Sequence, residues 1–205
     1  MPDLFETIKE RRSVRKYQSR HVPEDLVREI LVAASWAPSA HNAQPWRYII
    51  LTDEGVKRLL AEAMAEAWID DMTKDGLKVS REIQKSRVER FATAPVLILA
   101  CLTMKDMNQF SDTKRKSAER DLAIQSLGAS IQNLLLAAHA KGLGACWFCA
   151  PVFCKGTVRK VLKIPDEVEP EGLIVMGFPA ESPNAPLKKK SSEMFFKNQW
   201  AENLT

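Results

Sequence analysis

The sequence predicts an α+β domain in which short apolar strands are interleaved with helices. Two observations carry that reading. Four apolar runs, 46–51, 94–102, 145–150 and 172–179, have the length and the bounding turn residues of strands, and the segments between them show apolar residues at helical spacing. No G-x-G-x-x-G follows any of the runs, so a doubly wound dinucleotide fold is not indicated. A chain of 205 residues that is 45% hydrophobic has enough apolar area for one large core, and we expect a single domain over 1–205.

The elements follow in order. Residues 3–11 read as a short helix with Leu4, Phe5 and Ile8 on one face. Residues 22–37 form a second helix. Pro23 suits its first turn, Glu24 and Asp25 complement its dipole, and Leu26, Ile30, Leu31 and Ala34 make its apolar stripe. Pro38, Asn42 and Pro45 stop it and lead into the strand WRYIIL, 46–51. Residues 53–91 read as two charged helices broken near Asp75-Gly76. APVLILACL, 94–102, is a buried strand, and 103–120 is a polar loop. The longest helix is expected over 118–141. Its leucines and isoleucines occupy more than one face, which places it in a large core or a subunit interface. Gly128 inside it suggests close approach of another backbone, and Gly142 and Gly144 end it. A strand at 145–150, a short helix within 153–165 and a strand at 172–179 complete the domain. The tail from 180 is polar, then basic at LKKK, then aromatic at 194–200.

Composition excludes several classes. With 30 cationic and 26 anionic side chains the net charge is +4, too small for a general nucleic-acid binder. No apolar run approaches the ~18 residues of a membrane span. The N-terminus has no apolar signal-peptide core, so a cytoplasmic, reducing location is the default expectation. Neither a nucleophile elbow nor a P-loop is present.

Three stretches carry candidate chemistry. In KERRSVRKYQ, 9–18, Lys9, Arg11, Arg12 and Arg15 crowd around Ser13; the stretch is either a solvated helix end or a phosphate site, for which arginine forks are well suited. In APSAHNAQPW, 37–46, Asn42 and Gln44 offer amides that donate and accept, as a heteroaromatic ring edge requires; the plainer reading is an ordinary turn. In AKGLGACWFCAP, 140–151, a strand ending at Pro151 can pass backbone N–H groups beneath a ring. The C-x-x-C of Cys146 and Cys149, with Cys154 beyond it, reads as small buried thiols filling a core strand. A redox dithiol or a metal site is the sharper alternative, but His21, His41 and His139 show no ligand spacing.

Taken together, RRSVRKY (11–17), APSAHNAQPWRYIIL (37–51), AIQSLGASIQNLLLAAHAKGLGACW (123–147) and a basic pair after VMGFPAE (175–181) resemble the nitroreductase family of flavin enzymes, over nearly the whole chain. The resemblance implies a central mixed or antiparallel sheet flanked by helices, and an intertwined homodimer holding two FMN molecules at its interface. Arg11, Arg12, Ser13 and Arg15 would hold the phosphate or its surroundings. Pro38, Ser39 and Ala40, with Asn42 and Gln44, would reach the flavin from the partner, Ala40 standing where the family usually has a second serine. Cys149, Ala150 and Pro151 match the strand end near the reactive N5 edge. Lys188 and Lys190 match a basic pair near the phosphate, with Lys189 a third choice. His41 would line the acceptor pocket or stay simply solvated. Helix 118–141 would form the dimer core, and an arm over 180–205 would wrap the partner.

The implied activity is hydride transfer from NAD(P)H through FMN to a small acceptor, nitroaromatic or quinone-like, in ping-pong order and with no side-chain nucleophile. Residues 119–181 also resemble the C-terminal flavin domain of the ligase that glutamylates a deazaflavin coenzyme, which implies a reductase of coenzyme biosynthesis as an alternative. A flavin binder without turnover is the other alternative.

Overall fold

The computed structural model describes residues 3–202. Residues 1–2 and 203–205, which the expected domain and arm include, lie outside the described residues. The architecture is a four-stranded sheet between two layers of helix. The strands are β1 (Trp46–Leu51), β2 (Val96–Thr103), β3 (Gly144–Phe148) and β4 (Val168–Gly177), in spatial order β1-β2-β4-β3. Every strand pairing is antiparallel, so of the two sheet types expected it is the antiparallel one that forms. The helices are α1 (Leu4–Glu10), α2 (Glu24–Ser35), α3 (Glu54–Lys74), α4 (Arg81–Ala92), α5 (Thr113–Ala140) and α6 (Lys155–Leu162).

The apolar run of β2 is buried over its full length because helices cover both faces of the sheet. Its side chains alternate with the strand period. Val96, Ile98, Ala100 and Leu102 pack with Ile174 and Met176 against α2 and α5. Leu97, Leu99 and Cys101 pack with Leu173 and Val175 against α3, α4 and α6.

Several expectations shift at element ends. Helix α5 begins at Thr113, five residues before the expected start, because Asp112 caps it and accepts a hydrogen bond from the Arg115 N–H. Strand β3 stops at Phe148, where Pro151 turns the chain into a short 3-10 segment over Ala150–Phe153. Strand β4 begins at Val168, ahead of the apolar run, and carries Pro170 at a register shift opposite Ala100 and Cys101. The apolar side of α1 is not buried: Leu4 and Phe5 are 61% and 69% exposed. Among the described residues nothing approaches within 4 Å of where a Cβ on Gly128 would stand, so the close approach expected there does not occur within the chain.

Gly142, at φ +78°, takes the left-handed turn after α5. Gly144 has a different reason from the helix stop expected of it. A Cβ there would lie 2.7 Å from Val14 Cβ, because residues 13–14 run directly beside β3. Gly144→Ala is therefore expected to cost about 1–3 kcal/mol by overpacking, read as a lower urea midpoint. Adding Val14→Ala is expected to restore part of the loss.

Where β4 meets α5 and α6, two carboxylates and two cations form a closed network. Arg120 donates to Glu169 at 2.8 Å and to Glu171 at 3.1 Å, and Lys155 reaches both at 2.6 Å. Burial pushes the Glu169 carboxyl up, but the hydrogen bonds and charges of Arg120 and Lys155 outweigh it and hold the pKa at about 2. A folded-state pKa below the unfolded one contributes stability above about pH 4.3, the unfolded value, and that contribution disappears as pH falls toward 2. In urea titrations the stability gap between the native chain and Glu169→Gln is expected to be widest above pH 5 and to close between pH 4 and pH 2.

Candidate functional site

The arginine stretch becomes a site because its backbone is held as if it were a further strand. After α1 the chain runs extended, first beside β3 and then beside residues 178–180 just beyond β4. The Val14 N–H donates to the Ala145 carbonyl at 3.1 Å, and Gln18 N–H to Phe178 at 2.9 Å. The Glu181 carboxylate accepts from the Arg15 N–H at 2.6 Å and the Lys16 N–H at 3.1 Å. The Tyr17 hydroxyl donates to the carbonyls of Val14 and Val175, and burial raises its pKa, so it stays a donor.

With the main chain fixed, the basic side chains are left to face a cavity of about 580 Å³. It is lined by Lys9, Arg11, Arg12, Ser13, Arg15 and Lys188, with residues 183–186 closing one side. Arg12 and Arg15 donate only to nearby carbonyls, of Lys9 and Arg11 and of Ser13 respectively. Among the described residues none of these five cations is in an ion pair. Five cations and a hydroxyl around one cavity, with no carboxylate in its lining among the described residues, make a receptor for a multiply charged anion. The donor set fits the phosphate end of FMN. Lys189 and Lys190 do not line this cavity.

The strand end expected at the reactive edge of the ring lies farther along β3. From Ala145, beside Ser13, to Phe148 is about 10 Å of strand. Cys149 and Ala150 follow, and both open on a second cavity of about 570 Å³ between α3, α4 and the 3-10 turn. Pro151 is buried behind them. Cys101 and Cys146 are buried as expected, whereas Cys149 is exposed, which departs from the core-thiol reading. Burial first, then neighbouring carboxylates, Glu171 and Asp71 respectively, raise the thiol pKa of Cys149 and Cys154, so neither is a poised thiolate. Among the described residues no three His, Cys, Asp or Glu side chains form a metal-binding group.

The loop 38–45 lies elsewhere and lines neither cavity. Three of its residues have left-handed backbone, His41 at φ 56°, Asn42 at 53° and Gln44 at 46°. It is held from α5. The Ala40 N–H donates to Ser126 Oγ at 3.1 Å, and the Gln44 N–H to Ser39 Oγ at 3.1 Å. Glu119, only 6% exposed, holds His41 Nε2 at 3.3 Å and accepts from the Asn108 N–H at 3.2 Å. Asn108 Nδ2 is 3.0 Å from the same histidine nitrogen. His41 is thus tethered to α5 while its side chain stays exposed to solvent. Glu119, Asn108 and Ser126 escaped the sequence reading. Glu119 sits in a run of charges where nothing marked it as the buried one. Glu119→Ala leaves the part-buried Asn108 N–H and His41 without their acceptor, and is expected to lower stability by about 0.5–1.5 kcal/mol in chemical denaturation.

Comparison with known proteins places this arrangement. The nitroreductase family profile matches residues 8–178, and the chain belongs to that family of oxidoreductases. An NADH dehydrogenase of Thermus thermophilus is 32% identical, across 83% of this chain and 84% of its own length. A candidate nitroreductase of Desulfovibrio desulfuricans, solved in complex with FMN, is 27% identical with a TM-score of 0.73, covering 98% of this chain and 99% of that one. A BluB-like flavoprotein of Clostridium difficile has the same fold, with a TM-score of 0.80 at 22% identity, over 97% of this chain and all of that one. No helix among the described residues is long and apolar enough to cross a membrane.

Proposed function

We propose that this protein is an FMN-dependent NAD(P)H oxidoreductase acting on a small acceptor, and that its working unit is a homodimer. The observation that carries the reading is the cavity in which Lys9, Arg11, Arg12, Arg15 and Lys188 converge without an acidic partner among the described residues. FMN, when bound, supplies the two-electron chemistry that links NAD(P)H to the acceptor. The chain's own part is to bind, orient and exclude water. The five cations, with Arg11, Arg12 and Arg15 presenting planar forks, hold the phosphate dianion, and Ser13 adds a hydroxyl donor. Cys149, Ala150 and Pro151 form the floor at the reactive edge, where the backbone rather than a titrating side chain is presented. Donor and acceptor use the same place in turn, which gives ping-pong kinetics.

The second subunit accounts for two features that a single chain leaves unexplained. Loop 38–45, with Pro38, Ser39, Ala40, Asn42 and Gln44, is held rigidly yet lines neither cavity of its own chain, as suits a loop that serves the neighbouring copy. Large apolar side chains are also left in water: Leu4 and Phe5 on α1, Trp36 after α2, and Phe195 and Trp200 in the tail. We assign the tail from 180 onward as an arm over the partner. The name of the Thermus thermophilus relative, an NADH dehydrogenase, supports a nicotinamide donor. The resemblance of residues 119–181 to the flavin domain of the deazaflavin-coenzyme ligase supports a second reading, in which the acceptor is a dehydro precursor of such a coenzyme.

Purified protein is expected to be yellow and to release FMN, not FAD. Anaerobic NADH or NADPH is expected to bleach it in a single exponential. Arg12→Met and Arg15→Met are each expected to weaken FMN binding more than tenfold, as charge-assisted hydrogen bonds are worth about 1.5–3 kcal/mol, with the loss greatest at low salt. A colourless protein that refuses added FMN overturns the reading.

A further inference from the structure

The cavity beyond Cys149 has a wall that the flavin reading leaves unused. Its α3 side is Met64, Trp68 and Met72, and its α4 side is Phe91 and Arg87. Two aromatic rings and two thioethers make a lining suited to a flat apolar molecule, and a volume of about 570 Å³ lies within the usual range of small-molecule sites, about 300–1,000 Å³. Arg87 is the one cation in that lining. Its guanidinium stacks over the Trp68 ring, 3.7 Å from the centroid, which fixes the plane of the fork.

Arg87 is half-buried and, among the described residues, has no ion-pair partner. Burial, and secondarily the like charge of Arg90, lower its pKa, so its charge is under-compensated where it stands. The two carboxylates of the same cavity do not relieve it. Asp71 is exposed and engaged by Lys74 at 2.9 Å, and Asp75 is exposed at the C-terminal cap of α3. The drier part of the cavity is therefore aromatic and singly positive.

We propose that this cavity binds a planar aromatic monoanion, its ring between Trp68, Phe91 and the methionines and its carboxylate on the fork of Arg87. Because Cys149 and Ala150 form the shared wall with the expected flavin edge, such a molecule is the acceptor class of the enzyme. Naming it an acceptor rests on the function proposed above; its binding does not. Arg87 and Trp68 then determine specificity, since a neutral ring of the same shape leaves the guanidinium unpaired.

The test uses the full chain as purified, with and without added FMN. Quenching of tryptophan fluorescence is titrated with 4-nitrobenzoate and with its neutral isostere 4-nitrobenzamide. The carboxylate is expected to bind about tenfold more tightly, and Trp68→Phe is expected to remove most of the quenching. Arg87→Gln and Arg87→Met are both expected to bring the carboxylate to the affinity of the amide while leaving the amide unchanged. That unchanged binding shows the cavity to be intact. Equal affinities in the native protein overturn the proposal without any variant. A preference that survives Arg87→Gln, or quenching untouched by Trp68→Phe, overturns it as well. If the preference is seen but FMN is neither bound nor bleached, it is the flavin function that fails while the anion site stands.

Discussion

The main chain of residues 13–18 is tied first to the edge of β3 and then to residues 178–180 just beyond β4, and the candidate site depends on that tie. Backbone hydrogen bonds to Ala145 and Phe178, the Glu181 carboxylate under Arg15 and Lys16, and the Tyr17 hydroxyl hold the main chain of this segment without any ion pair to its basic side chains among the described residues. Arginines that would otherwise be a solvated helix end are thereby aimed together at one cavity. The tie in turn needs Gly144, since any side chain there would hold Val14 away from the strand. A glycine on β3 and an arginine cluster some 130 positions earlier are thus parts of one device.

Much of the fold was legible because its signals are local. The runs WRYIIL and APVLILACL have strand length and bounding turns, and Pro23 with Glu24 and Asp25 marks the start of α2 by charge and shape alone. Element ends were less legible where a single side chain or a neighbour decides them. Asp112 extends α5 backward through a stretch that reads as polar loop, and the apolar run of β4 does not announce that Val168, Glu169 and Pro170 pair as well. The antiparallel order β1-β2-β4-β3 follows from contacts far apart in the chain, which periodicity does not encode.

The candidate site was legible in kind and only partly in arrangement. The spacing of Arg11, Arg12, Ser13 and Arg15 pointed to an anion, and the structure brings them together with Lys188, and also with Lys9, which belonged to the cationic cluster but not to the residues the resemblance implied. Glu119 carries the same charge as the exposed acids around it, and only its burial against Asn108 and His41 distinguishes it. Arg87 and Trp68, nineteen positions apart on two helices, meet only once α3 and α4 pack side by side. Side chains on different elements carry no joint mark in the linear text.

The three left-handed residues of loop 38–45 restrict which substitutions the loop can accept. Each such conformation costs a non-glycine residue on the order of 1 kcal/mol, and the anchors from Glu119 and Ser126 are what keep it populated. A branched side chain at Asn42 would be shut out by its own backbone. Glycine there would relax the fold and, at the same time, widen the range of the unfolded chain, so the two effects oppose each other. The shape of this loop can therefore outlast changes in its letters provided the acid and the hydroxyl on α5 remain, and drift in those two anchors would be felt first as wandering of a segment that neither of them belongs to.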